Sequence, residues 1–157
     1  MFFEWSHVVT QAETDWFGHA SNIAFVDWLQ SAAIGHSTAV GWNQDRYLSL
    51  GSAFMVRSHR ITYLSQAQVG DALVVRTWVE DIASAKCLRR YEIEIQGESP
   101  RCIARAETIW AFVDLKKGVP RRIPDEILSV FPVKSQMPAE QTSSSPPEKS
   151  RWRLSEW

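Results

Sequence analysis

The strongest constraint on the fold is a helical pattern that runs from about Ser21 or Asn22 to Val40 and is apolar almost all the way round. The apolar positions are Ile23, Ala24, Phe25, Val26, Trp28, Leu29, Ala32, Ala33 and Ile34, and the polar stripe holds only Asp27, Gln30, Ser31 and Thr38. A helix of this kind is expected to be buried on most of its sides. Gly41 is the predicted C-terminal cap, and Gly35 predicts close packing against a strand.

The other patterns predict strands, which gives the element order βαββββ. The predicted strands cover about residues 2–12, 54–64, 73–80, 86–96 and 102–113. Apolar and polar residues alternate in the fourth strand, so one face of the sheet is expected to be wet. The small residues Ala104 and Ala106 favour a helix lying close to the last strand. An α+β fold, with an antiparallel sheet wrapped around one helix, is the economical arrangement.

The length of 157 residues suits one compact domain. We expect this domain to end near residue 132, because the sequence after Phe131 changes to Ser, Pro, Gln, Lys and Glu and offers little to bury. Residues 133–157 are therefore predicted to form a polar, flexible tail.

Charge and cysteine content exclude several function classes. Lys and Arg total 17 against 18 for Asp and Glu, so no global basic field attracts nucleic acid or an anionic membrane. The start, Met1 to Trp5, lacks a signal-peptide pattern, and a cytoplasmic location is expected. Cys87 and Cys102 show no metal-binding spacing. We expect two free thiols and no metal or cofactor, although neighbouring strands could bring these cysteines close enough to bond.

The densest cluster of reactive residues lies between the first strand and the helix, in the segment 13–22. A helix start exposes unpaired amide N–H groups and the positive end of the helix dipole, which suit an oxygen that gains negative charge during acyl transfer. Asp15, just upstream, could activate water as a general base or attack the carbonyl itself. Asp, Gly, Ser and Asn are also ordinary turn and cap residues, so the pattern alone leaves both interpretations open.

One motif in this segment resembles the active-site loop of the 4-hydroxybenzoyl-CoA thioesterase family, whose members have the hot-dog fold. The motif is Thr14-Asp15-x-x-Gly18-His19-x-x-Asn22-x-x-Phe25. The resemblance continues in the same order through residues 61–64, 69–71 and the long last strand, and covers about residues 3 to 127. It implies an acyl-CoA thioesterase that assembles as a homodimer or homotetramer, with active sites between subunits.

The resemblance also implies a role for each residue of the motif. Asp15 takes the position of the catalytic carboxylate, and the backbone amide of Asn22 polarises the thioester carbonyl. Gly18 shapes the loop, and His19 braces it by hydrogen bonding more than it transfers protons. The loop aromatics Trp16 and Phe17 are predicted to contact substrate. Phe25 and Trp28, at helical spacing, are predicted to pack in the core.

Coenzyme A carries phosphates, which need local cations. The candidates are Arg57, His59 and Arg60 on one strand and Lys86, Arg89 and Arg90 on another.

The sequence also departs from the family pattern. Many relatives carry an aromatic-rich stretch that ends in Glu and Arg on the helix, where this chain has Gln30, Ser31, Ala32 and Ala33. Ala20-Ser21 replaces the Val-Asn pair that is common in family members with Gly-His at the positions of Gly18-His19. The resemblance is therefore to the superfamily rather than to one subgroup, and the sequence does not identify the acyl group. Two other functions remain: a hot-dog dehydratase that uses Asp15 and His19, and an acyl-CoA binding protein without turnover.

Overall fold

The computed structural model describes residues 2–134. Its strands are β1 (Phe3–Val8), β2 (Ser52–Tyr63), β3 (Ala72–Ala83), β4 (Lys86–Ile95) and β5 (Arg101–Asp114). Its α-helices are α1 (Asn22–Ala39), α2 (Gln44–Leu50) and α3 (Asp125–Leu128), and a short 3-10 helix spans Gln11–Glu13. The predicted tail lies outside the described residues, apart from Val133 and Lys134. Val133 is buried and bridges to Val79.

The five strands form one antiparallel sheet in the order β1-β3-β4-β5-β2. The four later strands match the sequence predictions to within about three residues. The first strand is shorter than predicted, because the Glu13 carboxylate accepts the N–H of Thr10 at 2.8 Å and the chain turns there into the 3-10 helix. The sheet therefore ends in two open edges, β1 on one side and β2 on the other.

Helix α1 packs one face against this sheet. Its buried residues are Ala24, Phe25, Trp28, Leu29, Ala32, Ala33 and His36, so the core role predicted for Phe25 and Trp28 is confirmed. The prediction that the helix is buried on most sides is wrong, because the sheet covers one face only. Ile23 is 74% exposed and Ile34 is 55% exposed on the uncovered side.

The contact between α1 and the sheet depends on small residues, as predicted. A Cβ atom added at Gly35 would lie 3.0 Å from Cε1 of Phe3 in β1, so a side chain there would require the Phe3 ring to shift. Ala104 and Ala106 of β5 are buried in the same core. The helix therefore lies close enough to the sheet to exclude water between them.

Two short helices were not predicted. Helix α2 is capped by Asn43 and ends at Gly51, in the left-handed conformation with φ 74°. Helix α3 belongs to a returning segment that buries Ile127 and Phe131. No helix within residues 2–134 is long and apolar enough to cross a membrane.

The two cysteines are free, and the register of β4 and β5 explains why. Cys87 lies opposite Trp110, whereas Cys102 lies opposite Glu94, seven residues further along β4. At about 3.4 Å per residue this puts the two cysteines roughly 24 Å apart along the sheet, too far for a disulfide.

Candidate active site

The segment between the 3-10 helix and α1 forms a tight hairpin-like loop. Thr14 and Ala20 form an isolated antiparallel bridge, and the N–H of Asp15 donates to the carbonyl of His19 at 2.7 Å. The N–H of Gly18 donates to the carbonyl of Asp15 at 3.0 Å. Gly18 has a φ of +79°, a conformation that side chains with a Cβ rarely adopt. This glycine lets the loop close on itself.

The Asp15 side chain is exposed and is oriented by its own loop. Its Oδ1 accepts the N–H of Phe17 at 2.9 Å and the N–H of His19 at 3.2 Å. Within residues 2–134 the other oxygen, Oδ2, has no hydrogen-bond partner. The carboxylate is thus fixed by one oxygen and open to solvent at the other, which suits a group that must reach a water or a carbonyl carbon.

The start of α1 follows immediately. Ser21 is the N-cap: its Oγ accepts the N–H of Ala24 at 3.2 Å, and its carbonyl accepts the N–H of Phe25 at 3.4 Å. The N–H groups of Asn22 and Ile23 have no acceptor elsewhere in the described part of the chain. Two free donors therefore lie at the positive end of the helix dipole.

The loop and the helix start share one corner of the molecule. The Thr14 to Ala20 bridge continues into a bond from the N–H of Ser21 to the carbonyl of Glu13, at 2.8 Å. Asp15 consequently lies across the loop from His19, and His19 is three residues before Asn22. The His19 ring is half-buried, and the backbone of this residue, rather than its ring, makes the hydrogen bonds that close the loop.

A cleft of about 460 Å³ borders this corner. Its lining residues are Tyr63, Leu64, Ser65, Gln66, Gln68, Asp71 and Arg101. It adjoins the loop because His19 bridges to Gln68 and the N–H of Ala20 donates to the carbonyl of Ala67 at 2.8 Å. The cleft was not predicted from sequence. The one available signal was that Tyr63 lies two residues after Ile61 on the same strand and therefore on the face that packs against the core.

Aromatic side chains project from the loop. Trp16 is 87% exposed and Phe17 is 65% exposed, and their ring centroids lie 3.8 Å apart. Tyr63, at the rim of the cleft, meets the ring of Phe25 edge-on at 5.0 Å. The loop that carries Asp15 therefore exposes aromatic surface at its two next residues.

The predicted phosphate-binding residues do not form one cluster. In the strand register Arg60 and Arg90 flank Glu107 of β5, whereas His59 and Arg89 flank Thr108 and alternate to the opposite face. Arg57 is exposed in a bulge of edge strand β2, between Val56 and Ser58. Arg60 lies opposite Glu107 in the β2–β5 register. Arg90 pairs with Glu107 at 3.2 Å. Lys86 is exposed at the first residue of β4. His59 is half-buried against Thr108 Oγ1, at 2.7 Å, and its burial lowers the pKa of its ring.

Arg89 points the opposite way from Arg90, into the molecule. It is only 5% exposed, and its Nη1 donates to Nδ1 of His36 at 2.9 Å and to Thr77 Oγ1 at 3.1 Å. Burial, followed by the charge of Arg89, lowers the pKa of His36 to about 4. His36 is fourteen residues along α1 from Asn22, which is about 20 Å of helix. Arg89 therefore lies at the far end of the helix from the Asp15 loop of its own chain.

Five antiparallel strands against one long helix define a hot-dog domain, which confirms the predicted fold. A family model described as the thioesterase-like superfamily matches residues 9–131. The chain belongs to the thioesterase-like superfamily.

Solved structures share this fold. A 1,4-dihydroxy-2-naphthoyl-CoA thioesterase from Synechocystis matches with a TM-score of 0.76 and 22% identity, over 83% of this chain and 95% of the other. A protein from Staphylococcus aureus in complex with CoA gives a TM-score of 0.77 and 13% identity, over 93% and 95%. A 4-hydroxybenzoyl CoA thioesterase variant complexed with 4-hydroxybenzoyl CoA matches with a TM-score of 0.76 and 14% identity, over 83% of this chain and 99% of the other.

Proposed function

We propose that the protein is an acyl-CoA thioesterase that hydrolyses an acyl-CoA thioester to a free acid and CoA. The observation that carries the proposal is the corner of the molecule where the Asp15 loop meets α1. One oxygen of its carboxylate is held by the loop and the other is open, next to a helix start with two unpaired N–H groups. Membership of the thioesterase-like superfamily supports a thioester as the substrate.

In the proposed reaction the substrate carbonyl oxygen faces the N–H of Asn22. Negative charge develops on this oxygen as the carbonyl carbon becomes tetrahedral, and the amide and the helix dipole stabilise it. Asp15 either removes a proton from the attacking water or attacks the carbonyl carbon to form an anhydride that water then hydrolyses. The carbon–sulfur bond breaks, and the thiolate of CoA leaves and takes a proton. The products are the carboxylic acid and the free thiol.

The cleft beside the loop is a candidate for the pantetheine arm of CoA. Its lining is largely polar, with the amides of Gln66 and Gln68 and the guanidinium of Arg101, which suits an arm built from two amide groups. Trp16 and Phe17 remain the candidates for substrate contact, since they project beside Asp15. A largely apolar or aromatic acyl group would bury their exposed rings.

Among the basic residues, Arg57 is supported best as a nucleotide contact, because it is exposed on an open edge. Arg60 and His59 lie on the same strand and stay candidates in the assembled protein. The burial of Arg89 and the ion pair of Arg90 favour structural roles for both. These assignments predict that phosphate binding comes from β2 rather than from β4.

We propose a homodimer or homotetramer in which β2 is the joining element. Strand β2 is twelve residues long, lies at an open edge, and exposes Met55 and Val56. Such an edge pairs readily with a second copy. The free thiols of Cys87 and Cys102 are consistent with the cytoplasmic location that we propose.

The test measures thiol release from a panel of acyl-CoA esters. We expect Asp15→Asn to lower kcat by about a hundredfold or more, because the variant cannot accept a proton or attack. Asp27→Asn is the matched control, since Asp27 is also exposed and lies in the second turn of α1. Its rate should equal that of the wild type.

Equal rates for Asp15→Asn and the wild type on every ester would overturn the mechanism. Hydration of an enoyl-CoA without thiol release would favour the dehydratase. Tight binding of acyl-CoA without release would favour a binding protein.

A further inference from the structure

Glu13, two residues before Asp15, has a carboxylate that is bound from three directions. His7 Nε2 lies 2.7 Å from Oε1 and 2.9 Å from Oε2, and donates to the carboxylate. Trp28 Nε1 donates to Oε1 at 3.0 Å. Thr10 donates to Oε2 through its N–H at 2.8 Å and through its hydroxyl at 3.2 Å. Strand β1, the turn after it and helix α1 therefore meet at one side chain.

The backbone of the same residue holds the helix start. The carbonyl of Glu13 accepts the N–H of Ser21, the N-cap of α1, at 2.8 Å. This bond closes the base of the Asp15 loop, one pair below the bridge between Thr14 and Ala20. Glu13 thus joins the loop to the helix at Ser21 through its backbone and at Trp28 through its side chain.

The environment keeps this carboxylate charged and in place. Burial opposes the charge, but the hydrogen bonds from Thr10, His7 and Trp28 outweigh it and lower the pKa of Glu13 to about 2. The His7 ring stacks on Trp5 with centroids 4.9 Å apart, and its centroid lies 5.9 Å from that of Trp28. The donors around Glu13 are themselves packed, so the carboxylate has little freedom to move.

We infer that Glu13 is a positioning residue, which sets the distance between the Asp15 carboxylate and the amides at the start of α1. The inference rests on the proposed function, in which these two groups act on one carbonyl. A misplacement of about 1 Å in such a pair typically costs about a hundredfold in rate. The Glu13 carboxylate itself is bound by His7, Thr10 and Trp28.

Thiol-release kinetics test this role in the full-length protein. We expect Glu13→Gln to lower kcat by about ten- to a hundredfold while KM changes less than about threefold, since transition-state geometry rather than substrate binding is lost. Trp28→Phe removes one donor and keeps an aromatic ring, and should cause a smaller loss of the same kind. The double variant should lose less than the product of the two single losses, because the two residues share one hydrogen bond.

The matched control is Glu94→Gln. The Glu94 side chain is 25% exposed against 22% for Glu13, and it is bound by Arg76 at 3.1 Å. It alternates with the buried Ile93 and Ile95, so it lies on the face of the sheet away from α1. The control should lose an ion pair of similar burial and keep its kcat.

Hydrogen exchange gives a readout that does not depend on turnover. In Glu13→Gln the amides of Ala20 and Ser21 should exchange about tenfold faster, while those in the middle of β4 keep their rates. Unchanged exchange at Ser21, or an unchanged kcat in an active protein, would overturn the inference. A multiplicative loss in the double variant would also overturn it. Faster exchange in a protein whose wild type releases no thiol would support the placement of the loop and overturn the proposed function instead.

Discussion

A single buried hydrogen bond shows how one residue can fix the protonation state of another. Arg89 has a guanidinium that is almost fully buried, and it donates to His36 and Thr77. A protonated His36 would face this cation at 2.9 Å between the rings of Phe3 and Phe131. His36 is therefore neutral in the folded protein, with Nδ1 as the acceptor.

This arrangement predicts that the free energy of unfolding decreases as the pH is lowered through a defined window. The pKa of His36 is about 4 in the folded protein and 6.5 in its ordinary state. Between these values the unfolded chain binds the proton and the folded chain does not, so stability is complete above pH 6.5 and declines as pH falls towards 4. The loss is about 2 to 3 kcal/mol.

Urea unfolding at pH 7 and at pH 5, with wild type and His36→Gln compared, measures this loss. The variant should show a weaker pH dependence, because a Gln oxygen accepts from Arg89 without titrating. His59, whose pKa is also lowered by burial, contributes with the same sign in both proteins. The difference between the two slopes therefore reports His36, and identical slopes would contradict the assignment.

At the scale of elements, the approach of α1 to β1 depends on the missing side chain at Gly35. We expect Gly35→Ala to destabilise the protein by about 1 kcal/mol, because the new Cβ would meet the Phe3 ring at 3.0 Å and this outweighs the gain in helix propensity. Thermal unfolding of Gly35→Ala and Thr38→Ala makes the comparison. Thr38 is exposed in the same helix, and its replacement should be neutral or slightly stabilising. A Gly35→Ala protein more stable than wild type would contradict the close packing.

The periodicity of the sequence predicted α1 and all five strands, because each buries one repeating face. It did not predict α2 and α3, which are too short for a repeating face: α2 is capped by Asn43, and α3 buries only Ile127. It overestimated the burial of α1, since composition cannot say that only one side of a helix meets a sheet.

The candidate site divides in the same way. The loop residues are adjacent in sequence, so their proximity to the helix start was predictable. The cleft is made by the end of β2, the loop between β2 and β3, and the first residue of β5, and their proximity depends on the strand order. Arg89 and Arg90 were grouped as one candidate patch, but neighbouring residues of a strand point to opposite faces, and this alternation separates them.

For the whole molecule, the open edge at β2 is the feature with the largest expected effect on assembly. We expect Met55→Lys to shift the protein to monomers, because a lysine on an edge strand opposes pairing with a second copy. Val8→Lys is the control on the opposite edge, where Val8 is 56% exposed against 51% for Met55. Analytical ultracentrifugation of both variants, with thiol release measured in parallel, tests this.

A wild type that sediments as a monomer, or a Met55→Lys protein that keeps the wild-type mass, would contradict assembly through β2. If monomers form and thiol release is lost with them, the active site needs a second subunit. If monomers form and release continues, one chain is sufficient for turnover.

The two ends of α1 have separate duties. Its first turn presents free N–H donors at the surface. About 20 Å further along the helix, the buried guanidinium of Arg89 holds His36 in the core. Substitutions around Trp16 and Phe17 could therefore change which acid is released without disturbing the contact between Arg89 and His36 that holds the helix. Substrate preference and thermal robustness would then vary independently among relatives of this chain.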